Sequence, residues 1–233
     1  MASLPLLTLE LFHSAAVEFA ESLTTTPLYD IYGATDGKAV GTKIESMFKQ
    51  HLQERFDLEV GNAAKGIDFP GLNIDLKVTS YKQPQSSSPF RDAGQKIYGL
   101  GYHLLVVVYE KKDVAAERAA YLDIRHVLFI DSSRTGDYTI TRLIRGVVLD
   151  EEPFGVDQRE AKIEEVDAIL QDKTVPLDEV GRCALAEKIV DDVPEQGVLT
   201  ISNALQWRLQ YGRAISTAIR KACGTQVVDL RAQ

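Results

Sequence analysis

The sequence predicts an α/β fold, with a central mixed β-sheet flanked by helices and a C-terminal helical addition. Three observations lead there. Two N-terminal segments repeat apolar residues at helical spacing. The run LLVVVY within 103–109 is continuously apolar, as expected of a central strand buried on both faces. Three further helical segments follow residue 150. Residues 1–150 are expected to form the core, and 151–233 a mainly helical part packed on it as one unit.

The first helix is expected over 8–23, with Thr8 as N-cap and Leu11, Phe12, Ala15, Phe19 and Leu23 as its apolar stripe. His13 in this helix reads as a solvated or core-edge histidine. Residues 24–37 contain Pro27, Gly33 and Gly37 and read as irregular. A second helix is expected over 42–56, with Ile44, Phe48, Leu52 and Phe56 spaced four apart. Glu45 lies one step round from that stripe and is a natural i+4 partner for Lys49.

The stretch GIDFPGLNIDLK, residues 66–77, organises the rest. Ile67-Asp68-Phe69 reads as a short strand and Pro70-Gly71 as a turn. From Leu72 to Ser80 the residues alternate, so Leu72, Ile74, Leu76 and Val78 face a core. Asn73, Asp75, Lys77 and Thr79 face the other way. Side chains two apart on a strand share a face, about 7 Å apart along it. The bend returns Asp68 to Asp75, and two carboxylates then stand beside one lysine. Magnesium is held by one or two carboxylates plus waters and substrate phosphate, so the cluster suits metal-assisted phosphodiester hydrolysis. A neighbouring cation and partial burial would lower the Lys77 pKa and let it orient or deprotonate the attacking water. The competing reading is an ion pair on a half-exposed strand.

Asp68 followed after six residues by Asp75-Leu76-Lys77 resembles the PD-(D/E)xK signature of type II restriction endonucleases. The string DFPGLNIDLK is also similar to the matching segment of the mismatch-repair nickase MutH. Ile67 stands where the signature has proline, and Asp75 where glutamate is commoner. The resemblance covers residues 38–110 and implies a restriction-endonuclease-like fold. It implies a Mg2+-dependent nuclease cutting double-stranded DNA as a homodimer and leaving 5′-phosphates. Asp68, Asp75, the carbonyl of Leu76 and Glu45 would then hold metal, and Lys77 would position the water. A repair nickase of the MutH kind, or a non-catalytic DNA-binding protein, are the alternatives.

Downstream, residues 81–89 (YKQPQSSSP) read as a polar loop whose Lys82, Gln83 and Gln85 are candidate DNA contacts. A helix is expected over 90–100, with Gln95 and Lys96 at the surface rather than near the active site, the alternative placement. Strands follow over 103–109 and 121–130, a turn or cap at Asp131-Ser-Ser, and a helix over 138–149. Acidic helices are expected over 158–171 and 177–190. A final long helix from Ser202 or Asn203 to Ala222 would carry Gln206, Gln210, Arg213, Thr217 and Lys221 on one acid-free face. Gln and Arg make bidentate contacts to adenine and guanine edges, so Gln206, Gln210 and Arg213 are DNA-binding candidates. An ordinary solvated basic face is the alternative.

Net charge is −8 over 233 residues, which would argue against a nucleic-acid partner if evenly spread. It is not. Residues 150–195 hold 15 acidic and 5 basic residues, leaving 21 basic and 19 acidic elsewhere. From Ile201 to Gln233 there are five basic residues against Asp229 alone. The four histidines are scattered without H-E-x-x-H spacing, and neither a P-loop nor a G-x-S-x-G elbow occurs. No apolar run reaches membrane-span length, so no membrane is expected. Cys183 and Cys223 give no disulfide framework, and a reducing cytoplasm is expected.

Overall fold

The computed structural model describes residues 4–58, 66–89, 91–150, 158–202 and 207–232. In chain order its elements are α1 (Leu9–Thr25), α2 (Gly37–Gln53), β1 (Ile74–Ser80), β2 (Gln85–Ser88) and α3 (Gln95–Tyr98). Then come β3 (His103–Val114), β4 (Ala119–Ile130), α4 (Tyr138–Val148), α5 (Gln158–Asp172) and α6 (Glu179–Asp191). The chain finishes with β5 (Thr200–Ser202), β6 (Trp207–Gln210), α7 (Gly212–Ile219) and β7 (Val227–Asp229).

The chain divides into two units. The first comprises Met1–Ser86, Tyr102–Asp131 and Ala214–Gln233; the second, Ser87–Gly101 and Ser132–Arg213. Residue 150, the expected boundary, falls inside the second unit.

The first unit is built on a four-stranded mixed sheet in the order β1-β3-β4-β7. β1 runs parallel to β3, and the β3/β4 and β4/β7 pairs are antiparallel. Its core holds Phe12, Phe19, Phe48 and Phe69, with Ile74, Leu76, Leu105, Val107 and Ile124 from the strands. Phe12 meets Phe48 and Phe69 edge-on, at 5.6 and 5.1 Å between ring centroids. Thr8 caps α1 as expected, its Oγ1 accepting from the Leu11 amide. Helix α2 starts five residues earlier than its apolar spacing indicates, because Asp36 accepts from the Lys38 amide and caps it there. On β3, Leu104 to Val108 are at most 3% exposed, as the apolar run requires.

The second unit has its own core, in which Ile97, Ile140 and Ile144 meet Val166, Leu170, Ala186 and Ile189. The acidic helices form as expected. A second, three-stranded sheet has the order β2-β6-β5.

Three local expectations are corrected. The loop over 81–89 ends in strand β2. The helix over 90–100 shrinks to the four residues of α3, with Phe90 outside the described residues. The long helix from 202 to 222 does not form; β5, β6 and the eight-residue α7 stand in its place. Trp207, Leu209 and Tyr211 are buried while Arg208 and Gln210 are exposed, a two-residue repeat that overrides the weaker four-residue one. Ile219, which at four-residue spacing from Ile215 would have shared an apolar side of that helix, is 64% exposed. Gln206 lies outside the described residues, and Lys221 has φ 52 beyond the end of α7. The expected basic stripe is therefore not one helix face.

Candidate active site

Three local devices bring the acidic residues together. Phe69 and Ile74 exchange backbone hydrogen bonds of 2.9 and 3.1 Å across a 3-10 turn at Pro70–Leu72. Asn73 closes that turn with φ 54, a left-handed conformation that Asn tolerates. The bend folds Asp68 back onto β1, where its Oδ2 accepts from the Leu76 amide at 2.9 Å. Strand β1 places Asp75 and Lys77 on one face, their Oδ2 and Nζ 2.7 Å apart. Helix α2 presents Glu45 and Lys49 one turn apart. The Lys49 Nζ reaches Glu45 Oε1 at 2.6 Å and Asp68 Oδ1 at 2.7 Å.

All four expected side chains, Glu45, Asp68, Asp75 and Lys77, thus belong to one connected network in the first unit. Lys49 is its fifth member, and sequence reasoning gave it only to Glu45. The i+4 spacing revealed that half of its role; the contact with Asp68, nineteen residues away, depends on how α2 lies against β1. Beneath the network lies the aromatic cluster. Phe48 adjoins Lys49 in sequence, Phe69 adjoins Asp68, and their rings are 5.8 Å apart.

The electrostatics separate the two aspartates. Asp75 is 4% exposed. Burial pushes its pKa up to about 6, with Asp68 adding to the rise while Lys77 opposes it. Burial also favours neutral Asp68. Hydrogen bonds from Lys49 and the Leu76 amide outweigh that effect, and its pKa falls below the ordinary value. Desolvation alone would lower the Lys77 pKa, but the Asp75 carboxylate beside it wins and the net shift is upward. This corrects the expectation of a lowered Lys77 pKa. The side chain is a fixed cation here, suited to holding an anion or orienting a water.

The donor set suits a hard divalent cation of the magnesium type. Among the described residues no three Asp, Glu, His or Cys side chains are grouped as a ready metal cage. Asp68 and Asp75 offer oxygen donors only; Lys49 bonds Asp68 as it does Glu45, and Lys77 bonds Asp75. Magnesium keeps most of its waters and asks for one or two protein carboxylates, so the pair is sufficient.

The expected DNA contacts lie in different units. In the first, Lys82 and Gln83 are exposed just beyond β1. Gln85 follows them, its amide donating to Thr79 Oγ1 at 2.9 Å. In the second, Gln210 is exposed on β6, and the Arg213 guanidinium lies 3.8 Å over the Tyr138 ring. Lys96, expected at the surface, is only 2% exposed. His13 does sit at a core edge, its ring 4.5 Å from that of Phe129.

A mixed sheet flanked by helices, with two carboxylates and a lysine gathered on its edge strand, fits the restriction-endonuclease-like class of nucleases. Residues 6–226 match the family model described as type II restriction enzyme NspV, and the chain belongs to that family. The type II restriction enzyme NspV of a Nostoc species is 47% identical over 215 residues, covering 91% of this chain and 93% of that protein. No solved structure matches the chain.

Proposed function

We infer that this chain cuts both strands of DNA by Mg2+-assisted hydrolysis at the Asp68–Asp75–Lys77 cluster, leaving 5′-phosphates. Membership of the type II restriction enzyme family makes it a sequence-specific DNA endonuclease. The observation that supports this site is the fold-back of Asp68 onto the Leu76 amide. That bond sets a second carboxylate beside Asp75 and Lys77.

Asp68 and Asp75 would hold the metal, with the Leu76 carbonyl and Glu45 completing its shell directly or through water. When bound, a divalent cation supplies Lewis acidity toward the phosphoryl oxygens and lowers the pKa of a coordinated water. The chain's own residues supply position and charge. Lys77, held charged by Asp75, orients the attacking water and offsets negative charge developing at phosphorus. Lys49 keeps Glu45 and Asp68 oriented from α2. Lys82, Gln83 and Gln85, together with Gln206, Gln210 and Arg213, are the proposed DNA contacts.

Cutting two antiparallel strands calls for two active sites, so a homodimer with two-fold symmetry is the expected assembly. Among the described residues no helix is long and apolar enough to cross a membrane. A DNA substrate and free Cys183 and Cys223 fit the cytoplasm. The test is incubation with phage and plasmid DNA plus Mg2+, beside EDTA, Asp75→Ala and Lys77→Ala controls. Discrete fragments that vanish in every control are expected. Nicked circles alone would favour the repair nickase, and intact DNA throughout would refute the site.

A further inference from the structure

We propose that the outer face of the β5–β6 ribbon reads base edges in a DNA groove, with Arg208 and Gln210 as specificity-determining residues. The proposal rests on the DNA-cutting reading above.

Strand register defines the face. Thr200 pairs with Gln210, Ile201 with Leu209 and Ser202 with Arg208. Alternation therefore puts Thr200, Ser202, Arg208 and Gln210 on one side as two adjacent polar pairs. Arg208 and Gln210 are exposed, and Thr200 and Ser202 half-buried beside them. On β2, which borders β6 on its other side, Ser87 is also exposed. The described residues of the three strands include no carboxylate. Arg208 makes no ion pair among the described residues, so in a chain of net charge −8 its guanidinium is available to an outside acceptor.

The side-chain chemistry identifies that acceptor. Arginine offers a planar fork matched to guanine O6 and N7, and glutamine matches adenine N6 and N7. Serine and threonine donate to phosphate oxygens as readily as to bases, so the reading of base edges rests on the guanidinium fork of Arg208 and the carboxamide of Gln210.

The opposite face holds the ribbon rigid. Ile201, Trp207, Leu209 and Tyr211 are at most 4% exposed. Asp137 ties β5 to the unit: its Oδ2 accepts from the Ile201 amide at 2.8 Å while Oδ1 caps α4. The Lys96 ammonium lies 5.9 Å from the Trp207 ring centre. Reading groups mounted on a fixed strand lose little entropy on binding, which favours discrimination between sequences.

The experiment measures fluorescence anisotropy in a Lys77→Ala background, so that the probe is not cut. Two short duplexes are compared, one carrying the sequence at which the wild type cuts and one shuffled. Arg208→Ala and Gln210→Ala should each weaken binding to the cut sequence by about tenfold or more. Binding to the shuffled duplex should hold within a factor of about two, since it rests on phosphate contacts elsewhere. Arg208→Lys keeps the charge but loses the fork, and should behave like Arg208→Ala. Equal weakening on both duplexes, or full rescue by lysine, would reduce Arg208 to a phosphate contact and overturn the proposal. A variant that loses the wild-type oligomeric size would make the face an interface between copies, and overturn it too. Wild-type protein that neither cuts nor binds DNA would sink both readings; a wild type that cuts one sequence while both variants keep that preference sinks this one alone.

Discussion

Replacing Lys77 with methionine isolates the charge at the centre of the cluster while keeping most of the side chain's volume. With the ammonium 2.7 Å away, Asp75 has a pKa of about 6, so at pH 7 its ionised form is favoured by about 1.4 kcal/mol. The attraction lost with the ammonium is several times larger, on the order of 6 kcal/mol at an effective dielectric constant near 20. Asp75 will therefore take up a proton rather than remain a stripped, buried anion. That response caps the electrostatic cost to folding near 1.4 kcal/mol at pH 7, well under the roughly 3–5 kcal/mol of an uncompensated buried charge. The folded variant then holds a proton that the unfolded chain, with an aspartate near its ordinary pKa, does not. The penalty accordingly grows by about 1.4 kcal/mol per pH unit above pH 6, until Asp75 ionises again. Plasmid cleavage should fall at least about a hundredfold, since Asp75 is neutral and the orienting cation is gone. Denaturant melts at several pH values, paired with cleavage rates, test both halves. Cleavage close to wild type, or a penalty that does not change with pH, would refute the reasoning.

Phe48→Ala should cost about 3–5 kcal/mol in a urea melt, because the ring is 1% exposed and meets Phe12, Phe19 and Phe69. A loss under about 1 kcal/mol would mean that the cluster collapses without it. His13 is held below its ordinary pKa by burial and by His103, so the unfolded chain takes its proton first. Its contribution is fully present above about pH 6.5 and is lost as pH falls through that value toward the folded pKa; His13→Phe should flatten the stability-pH curve there. Asp137→Ala removes the acceptor of three amide bonds, to Thr139, Ile140 and Ile201, and should cost about 2–4 kcal/mol by thermal melt. Unchanged stability would show that water replaces the carboxylate.

The cluster was legible because its members lie within a few residues on elements of simple period. Asp75 and Lys77 share a strand face by alternation alone, and Pro70-Gly71 announced the bend that returns Asp68. The hidden part is what separates neighbours in sequence from neighbours in space. Lys49 sits a helical turn from Glu45, yet only the docking of α2 against β1 carries it to Asp68. The direction of the Lys77 pKa shift was hidden for the same reason. Partial burial lowers a lysine pKa, but a carboxylate at 2.7 Å reverses the outcome, and the distance is a tertiary fact. The C-terminal error has another cause. From Leu205 to Ile219 the apolar residues satisfy a four-residue spacing, and from Trp207 to Tyr211 also a two-residue one. Burial of Trp207, Leu209 and Tyr211 in the second unit decides between them, and no local propensity expresses it.

The net charge of −8 ceases to be an obstacle once each basic side chain of the acidic segment is followed to its partner. Arg159 grips Asp191 with two bonds, and Arg182 reaches Asp167 at 2.7 Å, so α5 and α6 spend their guanidinium groups on one another. Lys173 pairs with Asp172, Lys162 donates to the carbonyls of Val148 and Asp150, and Lys188 lies 4.4 Å from the Tyr98 ring centre. All five bases of this segment are engaged internally, while Glu160, Glu164, Glu165, Glu179 and Glu187 stay exposed. These two helices are net negative and so repel a polyanion. Arg208, by contrast, stands on an acid-free sheet face. What decides where DNA settles is which cations are left uncommitted, and net charge, which counts paired and unpaired groups alike, does not record that.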